Sequence, residues 1–430
     1  MLRDVPTKPL YLKKGEWDNM KYVIIGNSAA AIGAIEGIRS VDKTGEIVII
    51  SNEKYHTYSR PLISYWLEGK VTEEKMLYRK ESFYDDNNCK TMFGKTATKI
   101  DAKAKTVEMA DGEKVSYDKL CIATGSKPFV PPMNGLDSVK SKFTFMSLDE
   151  AKAVKSAVAA DSRVLIIGAG LIGLKAAEAL HKVGCSLTVV DLADRVLPSI
   201  LDNEGSAIMQ KHIESKGVRF ILGTSVDTFN GNTATLKTGE SIEFDTLIIA
   251  VGVRPNTELV KEAGGEVIKG ISTDTKQLTT LPDVYAAGDC TESYDITTGS
   301  VKILALLPNA YMQGEVAGIN MAGGKAEYKN AIPMNAIGFF GLHIITAGCY
   351  AGDKDYVVSD QNSYKRLVVK DGKLIGYILI GDVRRAGIYT SMIKEQIPLE
   401  TVDVELMVSA PQMMMFSKQR RLEKLGGIKA

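Results

Sequence analysis

Two stretches of the chain carry the same order of apolar and polar positions. KYVIIGNSAAAIGAIEGI begins at Lys21 and RVLIIGAGLIGLKAAEAL begins at Arg163. Each opens on a β-branched run suited to a strand buried on both faces. Each then passes through small residues that permit a tight turn and continues as a helix with small residues on its near face. A second buried strand follows in both cases, EIVIIS at 46–51 and SLTVVD at 186–191. The pattern predicts two βαβ units, and two such units predict two nucleotide sites.

Alternation takes over between and after them. KTVEMADGEKVSYDKLCIATG (105–125) alternates about Asp111-Gly112, the mark of an antiparallel hairpin, and ends in a buried strand. The same grammar recurs in TATLKTGESIEFDTLIIAVGVRPN (233–256), and QLTTLPDVYAAGDC (277–290) is a third variant, followed by a helical NAYMQGEVAGINMAGG. From about Ile332 the chain is strand-rich, with a clear hairpin in YKRLVVKDGKLIGYILIGD (364–382). The most membrane-like stretch, AIGFFGLHIITAGCYAG at 336–352, is short, carries His343 and four glycines, and reads as turns and strands.

Composition narrows the function classes. With 53 Lys+Arg against 52 Asp+Glu in 430 residues, the net charge is +1, which argues against coating nucleic acid or an anionic membrane. A hydrophobic fraction of 45% and a charged fraction of 24% are globular values. Five scattered cysteines make neither a disulfide scaffold nor a Cys-x-x-Cys pair. Residues 1–20 hold no apolar run of signal-peptide length, so a cytoplasmic setting is expected. Met20 directly precedes the first strand, which leaves 1–19 either an extension or a start-site artefact. Four dispersed histidines, His56, His181, His212 and His343, offer no metal constellation, and no metal is expected.

The strongest motif is Gly168-Ala-Gly170-Leu-Ile-Gly173. The first glycine permits the turn, the second lets backbone approach a pyrophosphate, and the third lets helix and strand pack closely. Asp191 closes the next strand, where a carboxylate binds ribose hydroxyls and repels a 2′-phosphate, favouring NAD over NADP. The first unit is a degenerate copy, Gly26-Asn-Ser28-Ala-Ala-Ala31, with Glu53 as its candidate ribose acceptor. Taken alone, that copy is equally compatible with a plain helix–strand turn.

Together with ATG at 123–125, AVGVRPN at 250–256 and YAAGD ending at Asp289, these units resemble the pyridine nucleotide–disulfide oxidoreductase superfamily of FAD flavoproteins. YSRPLIS (58–64) and the C-terminal hairpin resemble its branch serving rubredoxin, ferredoxin and nitrite-reductase-type electron transfer. The resemblance runs over about residues 20–400 in order. It implies an α/β fold of two Rossmann-like domains, glutathione-reductase-like, with a C-terminal α+β interface domain. The expected layout is an extension at 1–19, a discontinuous FAD domain at 20–146 and 270–326, and an NAD domain at 147–269. The interface domain would span 327–405 and a basic tail 406–430.

The resemblance also implies roles. Gly26, Ser28 and Ala31 would hold the FAD pyrophosphate, Glu53 its ribose, and Arg60 would lie beside the pyrophosphate and ribityl chain. Ala97 would meet adenine through its backbone, and Thr124 and Gly125 would line the flavin. Asp289 would accept a ribityl hydroxyl, and Leu307, Pro308 and Ala310 would open a helix facing the flavin. Gly168, Gly170, Gly173, Asp191 and Gly252 would serve NAD.

Two departures matter. The stretch EKYHTYSRPLIS holds no cysteine where the disulfide-reducing branches place one, and Ser59-Arg60-Pro61 fills the place, which by the resemblance makes Pro61 a catalytic candidate. Disulfide reduction is therefore disfavoured, and Cys290, beside Asp289, reads as a structural thiol. The second departure is a pair of positions that commonly hold Lys and Glu near the flavin, and here hold Tyr65 and Lys175. Lys175 is expected either to place its charge near flavin or nicotinamide as a catalytic group, or to be a solvent-facing helix lysine.

The leading expectation is an FAD-dependent enzyme moving electrons between NADH and a separate iron–sulfur carrier or subunit. Alternatives are an NADH oxidase reducing O₂ and a nucleotide-binding structural or sensor subunit of a larger redox complex. A homo-oligomer through the C-terminal domain is a further expectation. Met413, Met414, Met415 and Phe416, ahead of a basic run, would dock an acidic partner or pack on their own chain or a twin subunit.

Overall fold

The computed structural model describes residues 20–360 and 363–424. The 1–19 segment and Lys429 of the basic tail lie outside the described residues. The helices that bear on the site are α1 (Ala29–Val41), α2 (Leu62–Leu67), α3 (Leu171–His181), α4 (Asn203–Glu214) and α5 (Leu307–Met321).

The two echoed sequences build two parallel sheets. The first runs in the order Val284–Ala286, Lys119–Ile122, Lys21–Ile25, Glu46–Ser51, Cys89–Phe93. The strand Val284–Ala286 joins it from far along the chain, pairing in parallel with Lys119–Ile122. The second runs Arg219–Leu222, Ser186–Asp191, Arg163–Ile167, Thr246–Ile249, Lys142–Phe143. In both, the strand before the glycine turn is central and the strand order reverses around it. That reversal leaves a crevice at the carboxyl ends of the strands, where ligands of open α/β sheets bind. Tyr22, Val23, Ile24, Leu165 and Ile166 are completely buried, as strands covered by helices on both faces require.

Each parallel sheet carries a three-stranded antiparallel appendage, Ala97–Asp101 to Lys114–Ser116 in the first and Val226–Asn230 to Ser241–Glu243 in the second. The Asp111-Gly112 turn falls between two strands of the former, and Gly112 takes a left-handed φ of 85°.

α1 lies on α5 at backbone distance. A Cβ at Gly33 or Gly37 of α1, or at Gly314 or Gly318 of α5, would fall within 3.0 Å of the facing helix's main chain. Four glycines thus let the two helices touch through hydrogen alone, and both helices begin at the same crevice.

The C-terminal sheet is antiparallel in the order Met334–Phe339, Leu342–Gly348, Lys373–Ile380, Tyr364–Lys370, Lys354–Ser359. The membrane-like stretch supplies most of its first hairpin, and among the described residues no helix is long and apolar enough to cross a membrane. One buried cluster joins Tyr58, Ile63 and Leu67 to Leu174 and Leu180 of α3 and to Phe339, Ile344 and Ile378 of this sheet. The three parts of the chain share core.

The Met-rich tail turns inward. Met415 and Phe416 are 2% and 4% exposed in a cluster with Tyr389, Met392 and Ile393. Asp403 N donates to Met415 O at 2.8 Å, and Val402 bridges Phe416. Met414 alone of the four points outward, at 63% exposure, so these residues pack on their own chain and the expected apolar docking stripe does not form.

Candidate functional site

The first crevice, about 570 Å³, opens at the carboxyl end of Lys21–Ile25. The chain leaves that strand through Gly26 at φ 123°, where any side chain would collide with the Ala123 carbonyl. Gly26 N donates to Ile50 O at 2.8 Å, which fixes the turn. α1 follows with Ser28 at its N-cap, without a capping side-chain hydrogen bond and with no acidic residue in the first turn. A helix start of this kind leaves amide N–H groups and a positive dipole end facing the crevice, a seat for an anion.

Gly26, Ser28, Glu53, Arg60, Ala97, Thr124, Gly125, Asp289, Leu307 and Ala310 all line this crevice, from seven separate segments of the chain. Ala31 does not line it. It is completely buried inside α1, where its small side chain belongs to the core. Pro308 is absent from the lining and occupies the first turn of α5, where its missing N–H costs nothing. Pro61 is exposed and forms the N-cap of α2, also outside the lining.

Charge in the crevice is arranged around Arg60. Its guanidinium meets Glu53 Oε1 at 2.6 Å, and it donates to Tyr58 Oη at 3.2 Å and Met146 O at 3.3 Å. Burial opposes its charge, but Tyr58, Glu53 and Asp289 outweigh burial and hold its pKa above the ordinary value. Asp289 responds the other way. Burial raises its carboxyl to about 6, with Arg60 pulling it back only in part. Glu53 is thus engaged by Arg60 in this state rather than presented alone to a ribose.

The ATG segment is tied to the second unit. Thr124 Oγ1 donates to Asn256 O at 2.8 Å, Asn256 Nδ2 donates to Thr124 O at 2.8 Å, and Ser126–Pro128 pairs antiparallel with Val253–Pro255. Sequence reasoning named the AVGVRPN motif but missed Asn256 as a lining residue that bolts the two units together. Gln313, also missed, is 2% exposed and accepts from Gly288 N at 2.8 Å, holding the loop that carries Asp289. Only the i, i+3/i+4 spacing on the near face of α5 hinted at it.

The second crevice sits at Gly168, φ 115°, where a Cβ would strike the Ala250 carbonyl. A Cβ on Gly173 would strike the Gly168 carbonyl. Gly170, the N-cap of α3, has nothing within 4 Å of its would-be Cβ and faces open space. Gly252 takes φ 121° on the neighbouring loop and is equally open. Asp191 accepts from Ala169 N at 2.6 Å and Ala193 N at 2.7 Å, so its carboxylate shapes the phosphate turn. Each of its oxygens keeps a further lone pair for a ribose hydroxyl.

Lys175 is not the solvent-facing helix lysine of the second expectation. It does not line the FAD-side crevice, and its side chain is only 13% exposed. Its ammonium pairs with Glu178 at 2.5 Å and donates to Gly338 O at 3.0 Å, over the rings of Tyr65 at 4.7 Å and Phe339 at 5.5 Å. Cys290 is completely buried, its Sγ near Ala287 O at 3.4 Å and Ile122 O at 3.5 Å, and burial pushes the thiol up to about 11. No cysteine lines the crevice among the described residues.

These features fit a dinucleotide flavin in the first crevice and a second dinucleotide over Gly170. Both turns are cleared of side chains, both helix starts offer amides to a pyrophosphate, and the first adds Arg60 as cation and Asp289 as acceptor.

Comparison with known proteins agrees. Residues 20–314 match the family model described as pyridine nucleotide-disulphide oxidoreductase, and residues 333–397 match that of the rubredoxin NAD+ reductase C-terminal domain. The chain is 31% identical over 388 residues to the NADH-dependent phenylglyoxylate dehydrogenase subunit epsilon of Aromatoleum evansii, covering 87% of this chain and 92% of that one. It is 30% identical over 404 residues to an NADH oxidase of Methanocaldococcus jannaschii, covering 85% and 89%. The crystal structure of NADH:rubredoxin oxidoreductase from Clostridium acetobutylicum superposes with a TM-score of 0.75 at 26% identity, covering 90% of this chain and 97% of that one. The chain belongs to the pyridine nucleotide-disulphide oxidoreductases, enzymes of FAD and NAD(H).

Proposed function

We propose that the protein carries electrons from NADH through FAD to a separate iron–sulfur carrier or subunit of ferredoxin or rubredoxin type. The observation that carries this reading is the Ser59-Arg60-Pro61 segment beside a crevice without a cysteine, in a chain whose C-terminal part matches the rubredoxin NAD+ reductase domain. FAD bound there would supply the exchange between the electron pair of NADH and a one-electron acceptor. The chain's own work is binding and positioning.

In this reading the α1 start at Gly26 and Ser28, backed by Ala31, seats the FAD pyrophosphate with Arg60 as its cation. Glu53 and Asp289 accept from ribose and ribityl hydroxyls, Ala97 backs the adenine, and Thr124, Gly125, Leu307, Pro308 and Ala310 shape the flavin end. Pro61, next to Arg60 at the start of α2, is the catalytic-site candidate on the flavin side. Gly168, Gly170, Gly173, Asp191 and Gly252 seat NAD. The FAD unit is 20–146 with 270–326, the NAD unit 147–269, the interface unit 327–405 and the tail 406–430. A cytoplasmic setting is supported by five free thiols. A homo-oligomer through the C-terminal unit is supported by the edge strand Lys354–Ser359, which leaves Val357 and Val358 at 50% and 42% exposure.

The test is anaerobic titration of the purified flavoprotein with NADH, followed by rubredoxin and ferredoxin in separate arms. Bleaching of the flavin and reduction of either carrier are expected. Bleaching without carrier reduction, followed by rapid O₂ consumption once air is admitted, would favour the oxidase reading, which the Methanocaldococcus relative's name supports. No bleaching at all would leave a nucleotide-binding structural subunit.

A further inference from the structure

Lys175 touches three parts of the molecule at once. It lies on α3, the helix that starts at the Gly170 turn, where it pairs with Glu178 one turn on. Its ammonium is over the ring of Tyr65 on α2, the short helix that follows Arg60 and Pro61 out of the first crevice. It also donates to Gly338 O, at the end of the first strand of the C-terminal hairpin.

The hairpin tip is gripped from several sides. Glu178 Oε1 accepts from Phe340 N at 2.6 Å, while its other oxygen holds Lys175. His212 on α4 meets Phe340 O at 3.0 Å, and His181 lies edge-on to the Phe340 ring at 5.4 Å. Phe340 itself takes φ 51° and Gly341 φ 87°, so the turn presents both its N–H and its C=O toward α3 and α4. On the far side of this junction Lys70 Nζ is 5.5 Å from the centre of the Tyr65 ring and is paired with Glu68 at 2.8 Å.

A lysine offers three rotatable N–H donors, and an ammonium this deeply covered needs partners. Here carboxylate, carbonyl and ring face supply them, each from a different element. An apolar side chain would fill the same space without dictating how α3 sits against α2 and the hairpin. Directional partners dictate it, the role for which buried charges are best attested.

We propose that Lys175 is a positioning residue: with Glu178 it locks the helix of the second nucleotide turn onto α2 and onto the C-terminal hairpin tip, and so sets the register between the two nucleotide seats. It rests on the NADH reading of the Gly170 turn. Lys175 then acts on delivery of the reduced nucleotide to the flavin and leaves the flavin's own electron affinity alone.

The experiment compares Lys175→Met, Tyr65→Leu and Lys175→Arg with wild type as FAD-loaded, full-length protein. Lys175→Met keeps the stem and removes the charge. It is expected to slow flavin bleaching at saturating NADH about tenfold, the scale of losing a desolvated cation–ring contact and aligned geometry. The KM for NADH stays within about twofold, because each seat is intact on its own unit. FAD content and flavin midpoint potential stay at wild-type values, and amides 338–342 exchange hydrogen faster. Tyr65→Leu shows the same slowing, and Lys175→Arg recovers most of the rate. A shifted midpoint potential with unchanged exchange at the hairpin would overturn the proposal and make Lys175 a charge acting on the flavin. Wild-type bleaching by Lys175→Met would overturn it as well. If wild type itself does not bleach with NADH, the functional reading falls, and the exchange comparison alone decides whether the lock exists.

Discussion

A single methyl group at Gly314 should loosen the flavin without touching it. Gly314 lies on α5 directly over the Ala30 carbonyl of α1, and a Cβ there would stand 2.8 Å from the Ala30 carbonyl carbon and closer still to its oxygen. Ordinary contact begins near 3.4 Å, so the helices must part by about 1 Å at that point. Alanine gains up to about 1 kcal/mol over glycine inside a helix. Forcing a well-packed contact apart costs about 1–3 kcal/mol. With the full helix gain, the net loss of stability is therefore modest, about 0–2 kcal/mol.

The larger effect falls on the crevice, because Ala30 and Ala310 line it from the same two helices. A displacement of this size at a helix start moves the amides that seat the pyrophosphate, and FAD affinity should fall at least about tenfold. Gly387 is the control. It too is helical and exposed, but nothing lies within 4 Å of its would-be Cβ. The assay is FAD content after desalting and reconstitution of the stripped protein with FAD, alongside thermal melts. Gly314→Ala should lose flavin and melt a few degrees lower, while Gly387→Ala retains both. If Gly314→Ala binds FAD as Gly387→Ala does, the helix contact does not govern the seat and the reasoning fails.

Gly170→Ala should leave stability unchanged, since φ is −85° and the added methyl meets nothing, yet raise the KM for NADH at least about tenfold by filling the phosphate approach; an unchanged KM would contradict the assignment. Asp289→Asn should stabilise the FAD-free protein in a pH-dependent way. Because burial lifts the Asp289 carboxyl from 3.8 to about 6, the fold holds this proton more tightly than the unfolded chain does. The wild type therefore loses stability as pH rises from about 4 through 6, by up to about 3 kcal/mol, and the amide escapes that loss. Melts at pH 4 and pH 7.5 check it, and an equal offset at both would count against it. Phe416→Ala should cost about 3 kcal/mol or more in chemical denaturation, whereas Met414→Glu, on the exposed neighbour, should cost nothing measurable.

The legible parts of the structure were those set by short-range sterics. A glycine turn after a β-branched strand demands nothing beyond its own few residues, so Gly26, Gly168 and Gly173 could be placed from sequence, and each is where a side chain would strike a carbonyl. Hairpin turns at Asp111-Gly112 and Asp371-Gly372 were legible for the same reason. The joining of Val284–Ala286 to the first sheet could be written down only through the resemblance, because parallel pairing leaves no local mark. Ala31, Pro61 and Pro308 sit one step away from the crevice wall. The crevice is lined by their neighbours, while they serve packing, a helix cap and a helix start.

Lys175 marks where sequence reading stops and why. Its pairing with Glu178 was readable, since three residues on a helix bring the side chains together. That pairing alone already argues against a free charge aimed at a flavin. What could not be read was that Glu178 has a second oxygen committed to Phe340, and that Lys175 has a donor committed to Gly338, 163 residues along the chain. Nor could spacing show that the tyrosine standing opposite would supply a ring face. The exchange of residues at the Tyr65 and Lys175 positions looked, from sequence, like a charge moved across an active site. In the folded chain the charge is shared among Glu178, the Gly338 carbonyl and the Tyr65 ring, a junction that joins the helix of the second nucleotide turn to α2 and to the C-terminal hairpin.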